Sequence, residues 1–264
     1  MDSDFMPRLV IGVVGGIAIL LSNFLHPEPL YFILAIFWCF SFIELTALLG
    51  LKSTLKDWFL LTSAYLFILI FYLLSLSLKP ASPFWVILVS ILWLLAILYI
   101  YFGNPLRSVS RIISYSLYLT FPYTFMIFIR KQYGSNIFLL LLLTVWTMDV
   151  FSYFFGKLWG CHLIAPKISP KKTWEGTFFG VLVSGLVVLF GFSWLGYKTS
   201  LLIWISALLL PVFGFLGDLF ESTIKRRYSR KDSGELLHGH GGFLDRFDSM
   251  LFVTVAFGVL LWFL

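Results

Sequence analysis

Between Ser222 and Asp248 the chain reads S-T-I-K-R-R-Y-S-R-K-D-S-G-E-L-L-H-G-H-G-G-F-L-D-R-F-D, and polar chemistry crowds into this one stretch. Lys225, Arg226, Arg227, Arg230, Lys231 and Arg246 supply cations, while Asp232, Glu235, Asp245 and Asp248 supply carboxylates. Cations interleaved with carboxylates suit a phosphate-bearing substrate held together with a metal ion. Just upstream lies G-D-L-F-E-S, Gly217 to Ser222. Asp218 with Glu221, and Asp245 with Asp248, are each spaced i,i+3, so each pair can share one face of a helix. Four acids are thereby expected to converge on a divalent cation such as Mg²⁺, which takes oxygen ligands and retains water and substrate phosphate. The competing reading has these acids neutralising Lys225, Arg226 and Arg246 at helix ends. Two pairs flanking one basic stretch weigh against it.

A second polar region, A-P-K-I-S-P-K-K-T-W-E-G from Ala165 to Gly176, has two prolines that forbid an ordinary continuous helix. A rigid loop offering Ser169, Lys172 and Thr173 would hold phosphate oxygens through two hydroxyls and one cation. Asp149 adds weight, because an unpaired carboxylate inside an apolar segment costs at least about 2.5 kcal/mol and so is expected to face a polar cavity or partner. Glu44 makes the same claim without an accompanying motif and reads as a structural pairing. In His238-Gly239-His240-Gly241-Gly242 the glycines let backbone approach a phosphate closely. The H-x-H spacing is not read as a transition-metal site, since no second Cys/His pair stands nearby.

These groups must be carried by apolar elements, because 60% of the 264 residues are hydrophobic, 12% are charged and the mean hydropathy is +0.95. Such a composition excludes a soluble globular domain. Apolar runs at 9–25, 30–51, 58–78, 83–102, 112–129, 136–156, 176–197, 199–220 and 247–264 each approach the roughly 20 residues that a bilayer core demands. The expectation is an all-α, polytopic integral membrane protein with about nine transmembrane helices. It is expected to form a single integral membrane domain over 1–264, with motif-free helices in 1–135 and the catalytic helices and loops in 136–264. The acidic leader from Met1 to Arg8 lacks a following small-residue cleavage site, so the first run reads as an uncleaved helix. Alternating the nine runs across a membrane leaves Lys79, Arg130, Lys131 and Lys198 on one side and the other fifteen Lys and Arg with the N-terminus. That asymmetry puts the N-terminus and the polar stretches in the cytoplasm, and it survives removal of the Lys225–Arg246 group. The net charge of +6 therefore belongs to an inner membrane face and its anionic lipid, not to nucleic acid. Cys39 in a run and Cys161 in a loop are expected to be unpaired.

The pattern S-x-x-K-R-x-x-x-x-K-D-x-G-x-x-L-x-G-H-G-G-x-x-D-R-x-D, from Ser222 to Asp248, resembles the signature of the phosphatidate cytidylyltransferases, the CDP-diacylglycerol synthases of phospholipid synthesis. The segments at Gly217–Ser222 and Ser169–Gly176, and Asp149 ahead of Tyr153 and Gly156, are similar to further landmarks of that family. His238 departs from it, standing where the family commonly has proline. The resemblance implies transfer of the cytidylyl group of CTP to phosphatidate, with Mg²⁺ and a possible second cation, in a cytoplasm-facing site of the cell inner membrane. It also implies a homodimer. On that reading Asp218 and Asp245 lead the metal ligands, with Asp248 and Glu221 in support. Lys225, Arg226, Lys231 and Arg246 share the phosphate charges, while Ser169, Lys172, Thr173, Ser222, Asp232, His240, Gly241, Gly242 and Asp149 line the substrate.

Three alternatives remain open at this stage. A CTP-dependent lipid-alcohol kinase of the polyprenol type would transfer the γ-phosphate and release CDP. A CDP-archaeol-type synthase would differ only in its lipid tail. A transporter would use Asp149 and Glu44 as pathway residues but leaves the Ser222–Asp248 pattern without a purpose.

Overall fold

A computed structural model describes residues 5–49, 83–102, 108–234 and 242–264. Helices α1 (Phe5–Phe24), α2 (Pro27–Leu48), α3 (Pro83–Phe102) and α4 (Ser108–Trp159) lead to a short antiparallel hairpin, β1 (Leu163–Ala165) with β2 (Ser169–Thr173). Helices α5 (Trp174–Trp194) and α6 (Leu201–Arg227) follow, then a 3₁₀ turn over Leu244–Arg246 and helix α7 (Asp248–Phe263). Local chemistry sets several of the boundaries. Pro27 opens α2, where a missing N–H costs nothing. Ser200 caps α6, its hydroxyl accepting from the Ile203 amide at 3.4 Å.

The protein is an all-α integral membrane protein. Among the described residues, α2, α5, α6 and the stretch Ser114–Trp159 of α4 are long and apolar enough to cross a bilayer, and α1, α3 and α7 contribute shorter apolar helices. Large apolar side chains such as Phe32, Phe102, Phe190, Trp194 and Leu201 stand exposed, the surface a hydrocarbon solvent accepts. Eight of the nine expected runs coincide with helix; the run at 58–78 lies outside the described residues.

Two expected runs, 112–129 and 136–156, fall within α4, which breaks at Gly134 with φ 87° and ψ −179°. Only glycine takes that backbone conformation readily. The limbs on either side run antiparallel, as their contacts with α7 show. Going along the first limb, Tyr118 meets Phe252 and Phe125 meets the Gly258 backbone. Going along the second limb the order reverses. Leu140 packs on Gly191, beside Phe192 and its partner Phe257, whereas Asp149 comes later in the chain and meets Ser249. At the turn, Arg130 Nη2 donates to the Asn23 carbonyl (2.8 Å) and Asn23 Nδ2 donates to the Ser135 carbonyl (2.9 Å), tying the end of α1 to the break.

Several polar side chains inside the bundle find partners within it. Trp38 Nε1 donates to Thr120 Oγ1 (3.1 Å), Ser41 shares a hydrogen bond with Tyr123 (3.0 Å), and Ser184 donates to the Thr144 carbonyl (2.6 Å). Close helix approach depends on small residues, as is common where lipid offers no hydrophobic drive. A Cβ at Gly176 would stand 2.5 Å from the Ser152 carbonyl oxygen, and one at Gly185 2.6 Å from that of Ala207.

Candidate active site

The charged side chains of α6, the hairpin and the 3₁₀ turn gather at the end of the bundle opposite Gly134. Helix α6 does not stop at residue 220 as its apolar run implies but continues to Arg227, so the first six residues of the Ser222–Asp248 stretch are helix and not loop. Asp218, Glu221, Ser222 and Lys225 consequently share one face of α6 at helical spacing. Basic Lys225, Arg226 and Arg227 fill the last turn, where the helix dipole favours positive charge.

Two lysines divide the acids between them. Lys225 is buried, and its Nζ lies 2.6 Å from Asp245 Oδ1 and 3.2 Å from Glu221 Oε1. The other Asp245 oxygen accepts the backbone amides of Gly242 (2.7 Å) and Ser233 (3.0 Å). Burial pushes the Asp245 carboxyl up, but the Lys225 ammonium and the Gly242 amide outweigh it and bring the pKa down to about 2. Lys172, from the hairpin, reaches Asp218 Oδ2 at 2.5 Å and lies 5.1 Å from the centre of the Phe215 ring. Ser222 donates to Asp218 Oδ1 at 3.3 Å.

Helices α6 and α7 meet without a gap here. A Cβ on Gly217 would lie 2.6 Å from the Asp248 carbonyl oxygen, so only glycine permits this crossing. Asp248 opens α7 and accepts the Ser249 amide at 2.6 Å, while Ser249 Oγ stands 3.5 Å from Asp149 Oδ1 on the second limb of α4. Asp149, Asp218 and Asp248 feel one another's charge, and Asp248 also feels Lys225.

The hairpin is anchored as well as charged. Thr173 Oγ1 accepts the Gly176 amide (3.2 Å), capping α5, so this hydroxyl is engaged at a helix N-terminus. Arg226 Nε donates to the Ile168 carbonyl in the hairpin turn at 3.0 Å. Glu175 holds the segment before β1, accepting the Cys161 and His162 amides at 3.1 and 3.3 Å. Ser169 lies in β2. Lys231, Asp232 and Arg246 are exposed, whereas His240 and Gly241, with Glu235 and His238, lie outside the described residues. Both cysteines, Cys39 and Cys161, are free.

Of the four acids expected to converge, Asp218 pairs with Lys172, Glu221 and Asp245 pair with Lys225, and Asp248 stands apart at the start of α7. Asp245 and Asp248 do not share a helix, since the first sits in the 3₁₀ turn and the second begins α7. Among the described residues no three acids stand together at metal-holding spacing. The donor set nevertheless fits a hard divalent cation. Five carboxylates face two lysines, and both Glu221 oxygens are buried without a hydrogen bond among the described residues.

Two residues with structural weight were not singled out by motif. Arg227 donates to the carbonyls of Ile100 (2.5 Å) and Tyr101 (2.7 Å), capping the end of α3. Glu44 of α2 accepts from Ser233 and Leu244, within the polar stretch itself. The signal for Glu44 was its carboxylate within an apolar run.

A sequence model described as the cytidylyltransferase family matches residues 6–264. The chain belongs to that family. Curated relatives named phosphatidate cytidylyltransferase include those of Staphylococcus saprophyticus, 43% identical over 132 residues, and Staphylococcus epidermidis, 44% identical over 132 residues. That of Staphylococcus aureus is 42% identical over 132 residues. In each case the match covers 50% of this chain and 51% of the relative, so it spans about half the length of the curated proteins. Within this cytidylyltransferase-family chain, the paired lysines and acids come from α6, the hairpin and the 3₁₀ turn.

Proposed function

We propose that this chain transfers the cytidylyl group of CTP to phosphatidate at a membrane surface. A phosphatidate phosphate oxygen attacks the α-phosphorus of CTP. A new P–O–P linkage forms, the bond to the β-phosphate oxygen breaks, and CDP-diacylglycerol and pyrophosphate result. The observation that carries this reading is the facing pair of charged clusters, Lys172 with Asp218 and Lys225 with Glu221 and Asp245, at one end of a lipid-exposed bundle.

The phosphate monoester is itself a nucleophile near neutral pH, so no strong base is demanded. Positioning and charge neutralisation are left as the main sources of acceleration. Lys172 and Lys225 neutralise phosphate oxygens, while Arg226, Lys231 and Arg246 add positive charge at the rim. Asp218, Asp245, Glu221 and Asp248 would hold Mg²⁺, which when bound shields the triphosphate and favours departure of pyrophosphate. The location of Asp149, Asp218 and Asp248 at the same end as the basic segments supports a cytoplasmic site in the inner membrane.

Detergent-purified protein is incubated with Mg²⁺, phosphatidate and CTP labelled at the α-phosphate, and label entering the lipid phase is followed. Lipid-borne label with stoichiometric pyrophosphate is the expected result. Folded protein that yields none, but transfers label from γ-labelled CTP to a lipid alcohol, overturns the reading in favour of a lipid kinase.

A further inference from the structure

Glu44 belongs to the part of the chain that carries no motif, yet it touches the segment that does. Its residue is 2% exposed. Oε2 accepts the Leu244 amide at 3.0 Å and the Ser233 hydroxyl at 3.3 Å. Oε1 is buried and accepts no hydrogen bond among the described residues. A carboxylate here is costly unless something requires it.

The surroundings are shaped to receive it. A Cβ on Gly242 would stand 2.2 Å from Glu44 Oε2 and 2.0 Å from Ser233 Oγ, and a Cβ on Gly234 would stand 2.7 Å from Glu44 Cγ. Neither glycine has a positive φ, so what each provides at this place is room. The same side of α2 grips the other end of the segment. Phe40 stacks on Phe243 with ring centres 4.8 Å apart, and Phe37 packs against both Phe243 (5.6 Å) and Phe247 (5.2 Å). Residues 37, 40, 41 and 44 follow helical spacing, and Ser41 meets Tyr123, whose ring lies 5.5 Å from Phe247.

We infer that Glu44 is a positioning residue: its carboxylate clamps Ser233 and Leu244, and through them fixes the backbone that presents Asp245 to Lys225. Both clamped residues are coupled to Asp245 directly. Ser233 donates its amide to Asp245 Oδ2, and Leu244 is its chain neighbour. One carboxylate on α2 thus sets the place of another in the candidate active site. This inference rests on the proposed reaction for its kinetic consequence and on geometry alone for the clamp.

Trypsin reads the clamp independently of activity, because Arg230 and Lys231 are exposed immediately before Ser233. In purified full-length protein, Glu44→Ala is expected to speed cleavage at Arg230 and Lys231 by about tenfold, since cleavage follows the population of the opened segment. Glu44→Gln keeps one oxygen acceptor and is expected to stay within about threefold of wild type. Cytidylyl transfer is expected to fall at least about tenfold further in Glu44→Ala than in Glu44→Gln, through kcat and not the KM for phosphatidate. Gly242→Ala acts from the other side of the contact without altering α2 and is expected to accelerate the same cleavage. Ser233→Ala and Glu44→Ala combined are expected to do less than the two effects added. Unchanged cleavage in folded Glu44→Ala and in Gly242→Ala overturns the clamp. Faster cleavage in both variants, with no cytidylyl transfer by wild type, keeps the clamp and removes the proposed reaction.

Discussion

Lys225 is the sharpest point at which to perturb this site, because it is buried and its ammonium stands between two carboxylates, 2.6 Å from Asp245 and 3.2 Å from Glu221. Lys225→Met keeps much of the side-chain volume and removes the charge. Asp245 retains two backbone amides, so the uncompensated charge falls mainly on Glu221, whose oxygens have no hydrogen bond among the described residues. Breaking a buried pair by removing one partner costs about 3–5 kcal/mol. For a chain of this size that corresponds to a fall of roughly 6–20 °C in the apparent thermal midpoint, followed by fluorescence in detergent micelles. The double variant Glu221→Gln/Lys225→Met removes the orphaned charge with its counterion and is expected to recover about half of the loss. A midpoint for Lys225→Met within about 2 °C of wild type, or a double variant no more stable than the single, refutes the reasoning: the acids would then be balanced by something other than Lys225.

Asp218→Ala and Asp245→Ala are each expected to lower cytidylyl transfer by about a hundredfold or more while the protein still inserts into membranes, checked by the label-transfer assay and by yield from the membrane fraction. Gly217→Ala forces α6 away from the Asp248 carbonyl and is expected to reduce turnover about tenfold, whereas Gly15→Ala, which meets nothing within 4 Å, is expected to be silent in the same assay. The Asp245 carboxyl is held at about 2, below its ordinary value of 3.8, so its contribution to stability is complete above roughly pH 4 and is lost as pH falls from there through about 2. The midpoint difference between wild type and Asp245→Asn is therefore expected to be flat from about pH 5 to 8 and to shrink below about pH 4; a difference that vanishes near neutrality contradicts this assignment.

The membrane class and eight of the helical runs were legible because hydrocarbon leaves a chain few ways to satisfy its backbone, and apolar length alone reports the choice. The division at Gly134 was legible too, as Arg130 and Lys131 interrupt the apolar pattern between two runs. The end of α6 was not, since Lys225, Arg226 and Arg227 look like loop by hydropathy. Helical hydrogen bonding and the dipole continue through them, and pairing with Glu221 makes the burial of Lys225 tolerable while both arginines stay exposed. The partition of acids between Lys172 and Lys225 was equally hidden: spacing along a chain shows which carboxylates share a helix face but not which cation from a distant hairpin arrives opposite them. Glu44 shows the same limit, because Ser233 and Leu244, its partners, lie about two hundred residues away in sequence.

The contact between Lys172 and Asp218 makes the free protein its own competitor. An anion that takes the place of Asp218 on this lysine displaces a carboxylate already 2.5 Å away, so its affinity is measured against an internal occupant and not against water. The exchange has two products: the arriving phosphate gains an ammonium, and Asp218 is left with an oxygen to offer to a cation. Anion entry and the appearance of a vacant carboxylate oxygen are then one event. Neutralising Asp218 tightens the hold on a bare polyphosphate while removing the group that the exchange releases, so tighter binding and lost turnover go together in that variant.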